Sequence, residues 1–241
     1  MVNFNYMKGI AMKLSFAVLS ALLLAWLVDT QLLSAKEAGE TPIHETITLT
    51  QGGNYRVIAA PQPTQTGDKI EVLEIFWYGC PHCYAFEPYI NQWLKTKPAD
   101  VEFRRLPAVF GDKWAPGARV YYTAQTLHVL DKVHPAFFHA LHEEHHKFES
   151  ADDYAPLFVQ AGVNEDDFSK VFNSSETLEK VKQAALQGQA YGIEGVPSVI
   201  VNGKYLTAGA MAGSYEAMIQ VINGLIDLSR HEKAATASTA K

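Results

Sequence analysis

The stretch Ile70 to Trp77, IEVLEIFW, limits what this chain can fold into more than any other part of it. Apolar residues fill nearly every position, the pattern of a strand buried on both faces. The strand runs straight into Tyr78, Gly79 and Cys80. Pro81 then suits the first turn of a helix, because the N–H it lacks is one that a helix start leaves unbonded anyway. Phe86, Ile90, Trp93 and Leu94 recur at helical spacing and carry that helix to about Leu94. Pro88 should kink it, since it cannot bond back to Tyr84.

Around this unit the chain alternates between strand and helix signals. Tyr55 to Ile58 reads as a short strand, and Pro61, Pro63 and Gly67 mark a loop. Val101 to Pro107 reads as another strand, stopped by Gly111. From Trp114 to Gly188 the pattern is helical: Ala118 to Leu130, Pro135 to Phe148, Ala151 to Ala161 behind a Ser150 cap, Glu165 to Phe172 behind Asn164, and Glu176 to Tyr191 behind Ser175. Strand signals return in SVIVNGKYL, where Val199 to Val201 and Lys204 to Leu206 flank Asn202 and Gly203, a two-residue hairpin signal. A last helix, Ser214 to about Leu228, precedes an Ala/Ser/Thr tail over 229–241 that should be flexible.

The N-terminus follows a different logic. Lys8 and Lys13 precede an uncharged run from Leu14 to Val28 that ends near the small residues Ser34 and Ala35, a signal-peptide pattern over 1–35. The run falls short of the roughly 20 residues that a membrane-spanning helix needs, so export with cleavage is the stronger reading. Neither cysteine lies near that cut, which rules out a lipid attached there. The mature protein should be soluble, with length enough for one domain or a domain carrying an insertion. A formal charge of −6 makes nucleic acid or an anionic lipid surface a poor partner. No Gly-rich phosphate loop or nucleophile elbow is present.

Cys80 and Cys83 are the only 2 cysteines. A small exported fold stapled by disulfides would carry more of them. A bridge across so short a loop removes little unfolded-chain entropy, so a purely stabilising role is weak. A zinc site would need a second ligand pair, which only distant histidines can supply. A redox couple fits better. At a helix start the free amides and the positive end of the dipole favour the Cys80 thiolate, and a stabilised thiolate is a good leaving group. Pro81 fixes the turn, and His82 adds a donor or partial charge beside the sulfur. Cys83, further into the helix, should be more buried and less acidic. Cys80 is then the attacked sulfur and Cys83 the resolving one.

FWYGCPHCYAFEP and GVPSVIVNGKY closely resemble two signatures of the thioredoxin-fold periplasmic thiol:disulfide oxidoreductases of the DsbA branch. Pro-His between the cysteines is that branch's pattern. The resemblance covers about Glu71 to Leu228 and implies an α/β architecture: a thioredoxin fold over 43–110 and 184–228 with an all-helical domain inserted over 111–183. It implies that Pro197 is a cis-proline beside the active-site disulfide, and that Val196 and Pro197 shape the substrate groove. Ser198 departs mildly from the threonine more common after that proline. An acidic cysteine and a strongly oxidising couple are known properties of the family and follow from the likeness alone.

The same likeness implies a periplasmic enzyme that donates its disulfide to unfolded exported polypeptides with free thiols. Reoxidation would come from a quinone-linked membrane oxidase of the DsbB type, and no bound cofactor or metal is needed. Glu74, in the middle of the apolar strand, should have a raised pKa and exchange a proton with Cys83. On pattern alone it can equally face a polar edge. Glu87 and Arg105 align with a charged pair near the family's site, where Arg105 replaces a lysine; ordinary surface charges are the alternative. Trp77, Trp93 and Trp114 should line core or groove, with Tyr78 and His82 exposed at the site and Tyr78 available to substrate.

His142 to His146, HEEHH, fits H-E-x-x-H, which on a helix would read as a zinc protease. No third ligand stands out downstream, and His134, His139 and His145 nearby suggest a solvated histidine-rich helix face instead. Two rival functions remain at this level: the same fold acting as isomerase or reductase, and a periplasmic metal-binding module using these histidines.

Overall fold

The computed structural model describes residues 47–239. The expected signal peptide over 1–35 lies outside them. The elements run β1 (Arg56–Val57), β2 (Ile70–Phe76), α1 (Pro81–Leu94), β3 (Val101–Pro107), α2 (Ala115–Thr126), α3 (Leu130–His142), α4 (Ala151–Ala161), α5 (Glu165–Phe172), α6 (Ser175–Ala190), β4 (Ser198–Val201), β5 (Tyr205–Ala208), α7 (Gly209–Ala212) and α8 (Tyr215–Thr239).

The sheet has the order β1-β5-β4-β2-β3. β2 pairs with β3 in parallel and with β4 antiparallel, and every residue of β2 is buried. The unbroken apolar run is therefore a central strand covered on both faces. On one face Val72, Val199 and Val201 pack against Phe86, Ile90 and Trp93 of α1 and Met218, Val221, Ile222 and Leu225 of α8. On the other, Leu73, Ile75 and Ile200 meet Ala184, Tyr191 and Ile193. Each such aliphatic side chain, fully buried, contributes about 1.5–3 kcal/mol.

The β4–β5 hairpin turns where its sequence predicts. Asn202 and Gly203 take φ values of 52° and 67°, the left-handed pair a two-residue turn requires. Between β3 and β4 every regular element is a helix, α2 to α6. Asn164 caps α5 through a 2.8 Å bond from the Asp167 N–H. Ser174, one residue before the expected Ser175, caps α6 by accepting from Thr177 N–H at 3.1 Å. The core of this block is aromatic: Phe137, Phe138, Tyr154, Phe158, Phe168 and Phe172 cluster together, and the cluster takes in Phe76, Tyr78 and both cysteines.

Three helices end elsewhere than their periodicity predicts, and the first of them, α2, stops at Thr126 and not at Leu130. Pro135 does not open a helix; it sits inside α3, which begins at Leu130 and stops at His142. The chain then leaves the helix, with His145 at φ 54° and the His146 N–H turned back to the Ala140 carbonyl at 2.8 Å. The tail expected to be flexible from 229 is helical to Thr239. Its alanines favour helix, and it is tied down by Arg230 to Asp100 at 2.7 Å and by Lys204 to Glu232 at 2.6 Å. Among the described residues no helix is long and apolar enough to cross a membrane.

Candidate active site

β2 ends at Phe76 and α1 begins at Pro81, so the turn between them decides how the cysteines are presented. Cys80 N–H closes it by donating to the Trp77 carbonyl at 3.0 Å. Gly79 is needed there, because a side-chain carbon would collide with the Trp77 indole, which stacks on Trp114 with centroids 4.1 Å apart. Cys80 is the N-cap of α1, with extended backbone (φ −93°, ψ 116°), and no side chain caps this helix. The unbonded first-turn amides are thus left to face the Cys80 sulfur.

Cys80 keeps 8% of its surface exposed and Cys83 none, and both are free thiols. The Cys80 thiol donates to the Val196 carbonyl at 3.5 Å. The next peptide bond, Val196–Pro197, is cis, and Pro197 is buried beside the site. His82 is exposed, with Nδ1 3.3 Å from the Tyr215 hydroxyl.

The environment separates the two sulfurs. The Cys80 pKa falls from the ordinary thiol value of 9.0 to about 6. The hydrogen bond from the Cys83 thiol is the main cause; burial opposes it, and the Cys83 and His82 amides and the His82 charge reinforce it. The Cys83 thiol is pushed far upward, first by burial, then by its bond to Cys80 and the negative charges of Cys80 and Glu74.

Beneath the cysteines lies a buried polar network. Glu74 is fully buried, accepts from Arg105 Nε at 2.9 Å through one oxygen, and has no partner for the other, Oε1. Burial raises its pKa from 4.5 to about 7, against the pull of Arg105 and with help from the Glu87 charge. Glu87 accepts from Arg105 Nη2 at 3.2 Å, Asn91 Nδ2 at 3.0 Å and His134 Nε2 at 3.2 Å. Burial would raise the Glu87 pKa, but these donors and the neighbouring positive charge hold it below the usual range. His134 leads through its bond and charge, followed by the Arg105 charge and the Asn91 bond, while burial lowers the pKa of His134 itself against its bond to Glu87. Arg105, half-buried, therefore bridges the buried Glu74 and Glu87, and neither Arg105 nor Glu87 is an ordinary surface charge.

Several sequence expectations change here. Tyr78 is not exposed to substrate: it is 1% exposed, and its hydroxyl lies 2.8 Å from His134 Nδ1. His134 does not belong to a solvated face; it is buried in the aromatic block. Its burial was visible in the spacing, since His134, Phe137, Phe138 and Leu141 recur as one helical face. The helix expected to carry the H-E-x-x-H pattern on to Phe148 ends at His142. His142 Nε2 is instead 2.7 Å from the Tyr78 carbonyl. Among the described residues no three histidine, cysteine or acidic side chains converge as metal ligands.

Comparison with known proteins agrees with this geometry. Residues 71–217 match the model of the DSBA-like thioredoxin domain. The chain is 41% identical over 193 residues to the thiol:disulfide interchange protein DsbA of Pseudomonas syringae pv. tomato, covering 80% of this chain and 88% of that protein. It is 39% identical over 181 residues to the protein of the same name from Pseudomonas aeruginosa, covering 75% and 86%. The crystal structure of Pseudomonas aeruginosa DsbA superposes with a TM-score of 0.74 at 38% identity, over 77% of this chain and 97% of that one. The oxidoreductase DsbA from Xylella fastidiosa superposes with a TM-score of 0.72 at 32% identity, over 76% and 98%. An acidic, helix-capping cysteine beside a buried one, a cis-proline next to them and these likenesses together place the chain in the DsbA-like thioredoxin-domain family.

Proposed function

We propose that this chain is a thiol:disulfide oxidoreductase that works as an oxidase, passing a Cys80–Cys83 disulfide to newly exported polypeptides with free thiols. The opposite pKa shifts of two neighbouring sulfurs carry the reading. A substrate thiolate attacks Cys80 Sγ, the Cys80–Cys83 bond breaks, and the Cys83 sulfur takes the electron pair. A thiolate is poorly tolerated at the fully buried Cys83, so it takes up a proton, for which Glu74, titrating at about 7, is the nearby donor. A second substrate thiolate then attacks the substrate sulfur of the mixed disulfide, and Cys80 leaves as its stabilised thiolate. The substrate has lost two electrons to the protein dithiol.

Val196 and Pro197 are the groove residues in this reading, since the Val196 carbonyl already meets the Cys80 sulfur. Export to the periplasm by cleavage of 1–35, and reoxidation by a quinone-linked membrane oxidase of the DsbB type, complete the cycle. Equilibration with reduced and oxidised glutathione tests the direction of transfer. The oxidase reading expects the protein couple to be the more oxidising, with the disulfide form restoring disulfides to a reduced unfolded polypeptide. A couple more reducing than glutathione would make the chain a reductase or isomerase of the same fold.

A further inference from the structure

We propose that His134 and His142, both on α3 of the helical block, are positioning residues for the redox step: they hold Tyr78 by its hydroxyl and its carbonyl, and so fix the turn that aims the α1 amides at Cys80. The proposal rests on the oxidase reading above and adds a part of the molecule distant in sequence from the cysteines.

The observation is that one residue of the turn is gripped at both ends by one helix. A carbonyl only accepts, so His142 Nε2 carries the hydrogen in its 2.7 Å bond to the Tyr78 oxygen. The His142 ring also stacks on Tyr84, centroids 5.0 Å apart and planes 10° from parallel, so it touches the chain on either side of the cysteine pair. The ionised Glu87 likewise only accepts, so His134 donates Nε2–H to it at 3.2 Å and turns Nδ1 toward a hydroxyl partner. The Tyr78 hydroxyl fills that role at 2.8 Å, and burial keeps it protonated. Phe76, Phe137 and Phe138 enclose the Tyr78 ring at centroid distances of 5.1, 4.4 and 4.9 Å.

Tyr78 sits inside the turn that the Cys80 N–H to Trp77 carbonyl bond closes. Any slack at Tyr78 passes directly to Cys80. The lowered Cys80 pKa depends on bonds from the Cys83 thiol and from the Cys83 and His82 amides, and hydrogen bonds weaken steeply with misalignment. A loosened turn therefore makes Cys80 less acidic and its disulfide less oxidising.

The test titrates the Cys80 thiolate by its ultraviolet absorbance and measures the glutathione equilibrium in three variants. His142→Phe keeps a ring over Tyr84 but cannot donate; His142→Gln keeps an N–H at similar reach; Tyr78→Phe removes one oxygen and leaves the packing. His142→Phe and Tyr78→Phe are expected to raise the Cys80 pKa enough to shift the thiol–thiolate equilibrium about threefold, and to move the glutathione equilibrium the same way. His142→Gln is expected to retain the wild-type titration. If His142→Phe fails to fold, Tyr78→Phe alone decides. Folded variants with the wild-type titration and equilibrium, whether or not their Tm falls, would overturn the proposal, as would a His142→Gln variant that behaves like His142→Phe. A wild-type couple that is itself reducing would instead overturn the oxidase reading, which the variants do not affect.

Discussion

The surroundings of β2 are built in two ways, and the difference separates scaffold from site. Between the sheet and helices α1 and α8 the packing is mainly aliphatic, with Val72, Val199, Val201, Val221, Ile222 and Leu225 buried together. At the C-terminal end of β2, where Phe76 enters the helical block, it is aromatic, and polar groups lie beside it: Tyr78, His134, Glu87, Arg105 and Glu74 form one chain of hydrogen bonds. Aliphatic packing is non-directional: it holds the fold and moves a pKa only where it takes water from a titratable group. Buried polar groups must be paired, and whichever group is left short of partners has its titration moved. In this chain of bonds Glu74 keeps one oxygen without a partner, and its pKa is raised.

This contrast predicts effects that differ in kind as well as size. Cys80→Ser should abolish disulfide transfer to a reduced polypeptide altogether while leaving the fold intact by circular dichroism. Ile222→Ala, at a fully buried site on the aliphatic side, should cost about 2–5 kcal/mol in denaturant unfolding yet leave the Cys80 titration unchanged. A shift in that titration would break the division between the two sides.

Glu74 sharpens it through pH. Its pKa is about 7 folded against an ordinary 4.5, so the folded state holds the proton more tightly. The sign follows: stability from this group is full below about 4.5, declines as pH rises, and levels off above about 7. In Glu74→Gln that decline, on the order of 3 kcal/mol, should flatten, as measured by unfolding at several pH values. The smallest effect belongs to the periphery: Arg230→Ala removes an exposed pair with Asp100 and should cost less than about 1 kcal/mol.

How far the sequence carries depends on which side is asked. The central strand, the helix after it, the Asn202-Gly203 hairpin and the helical block follow from period and turn chemistry, because local patterns report local structure. The cysteine pair at a helix start was legible for the same reason. Tyr78 was not: an aromatic residue next to a reactive cysteine reads as groove lining, and only the packing of α3 over the turn buries it. His142 was obscured by the pattern it completes, since H-E-x-x-H presumes a helix that in fact ends there. The network of Glu74, Arg105, Glu87 and His134 joins four separate elements, so no spacing along the chain announces it. The tail erred in the opposite direction, where a small-residue composition suggested disorder and concealed a helix pinned by Arg230 and Glu232.

The acidity of Cys80 joins the geometry to the chemistry, and one titration measures it. In the reduced protein, thiolate absorbance followed from acid to alkaline pH should rise with a midpoint at about 6, from Cys80 alone, with Cys83 silent across that range. A midpoint near the ordinary thiol value of 9.0 would mean that the helix start, the Cys83 thiol and the clamped turn do not stabilise the thiolate, and would contradict the assignment of this site as an oxidase.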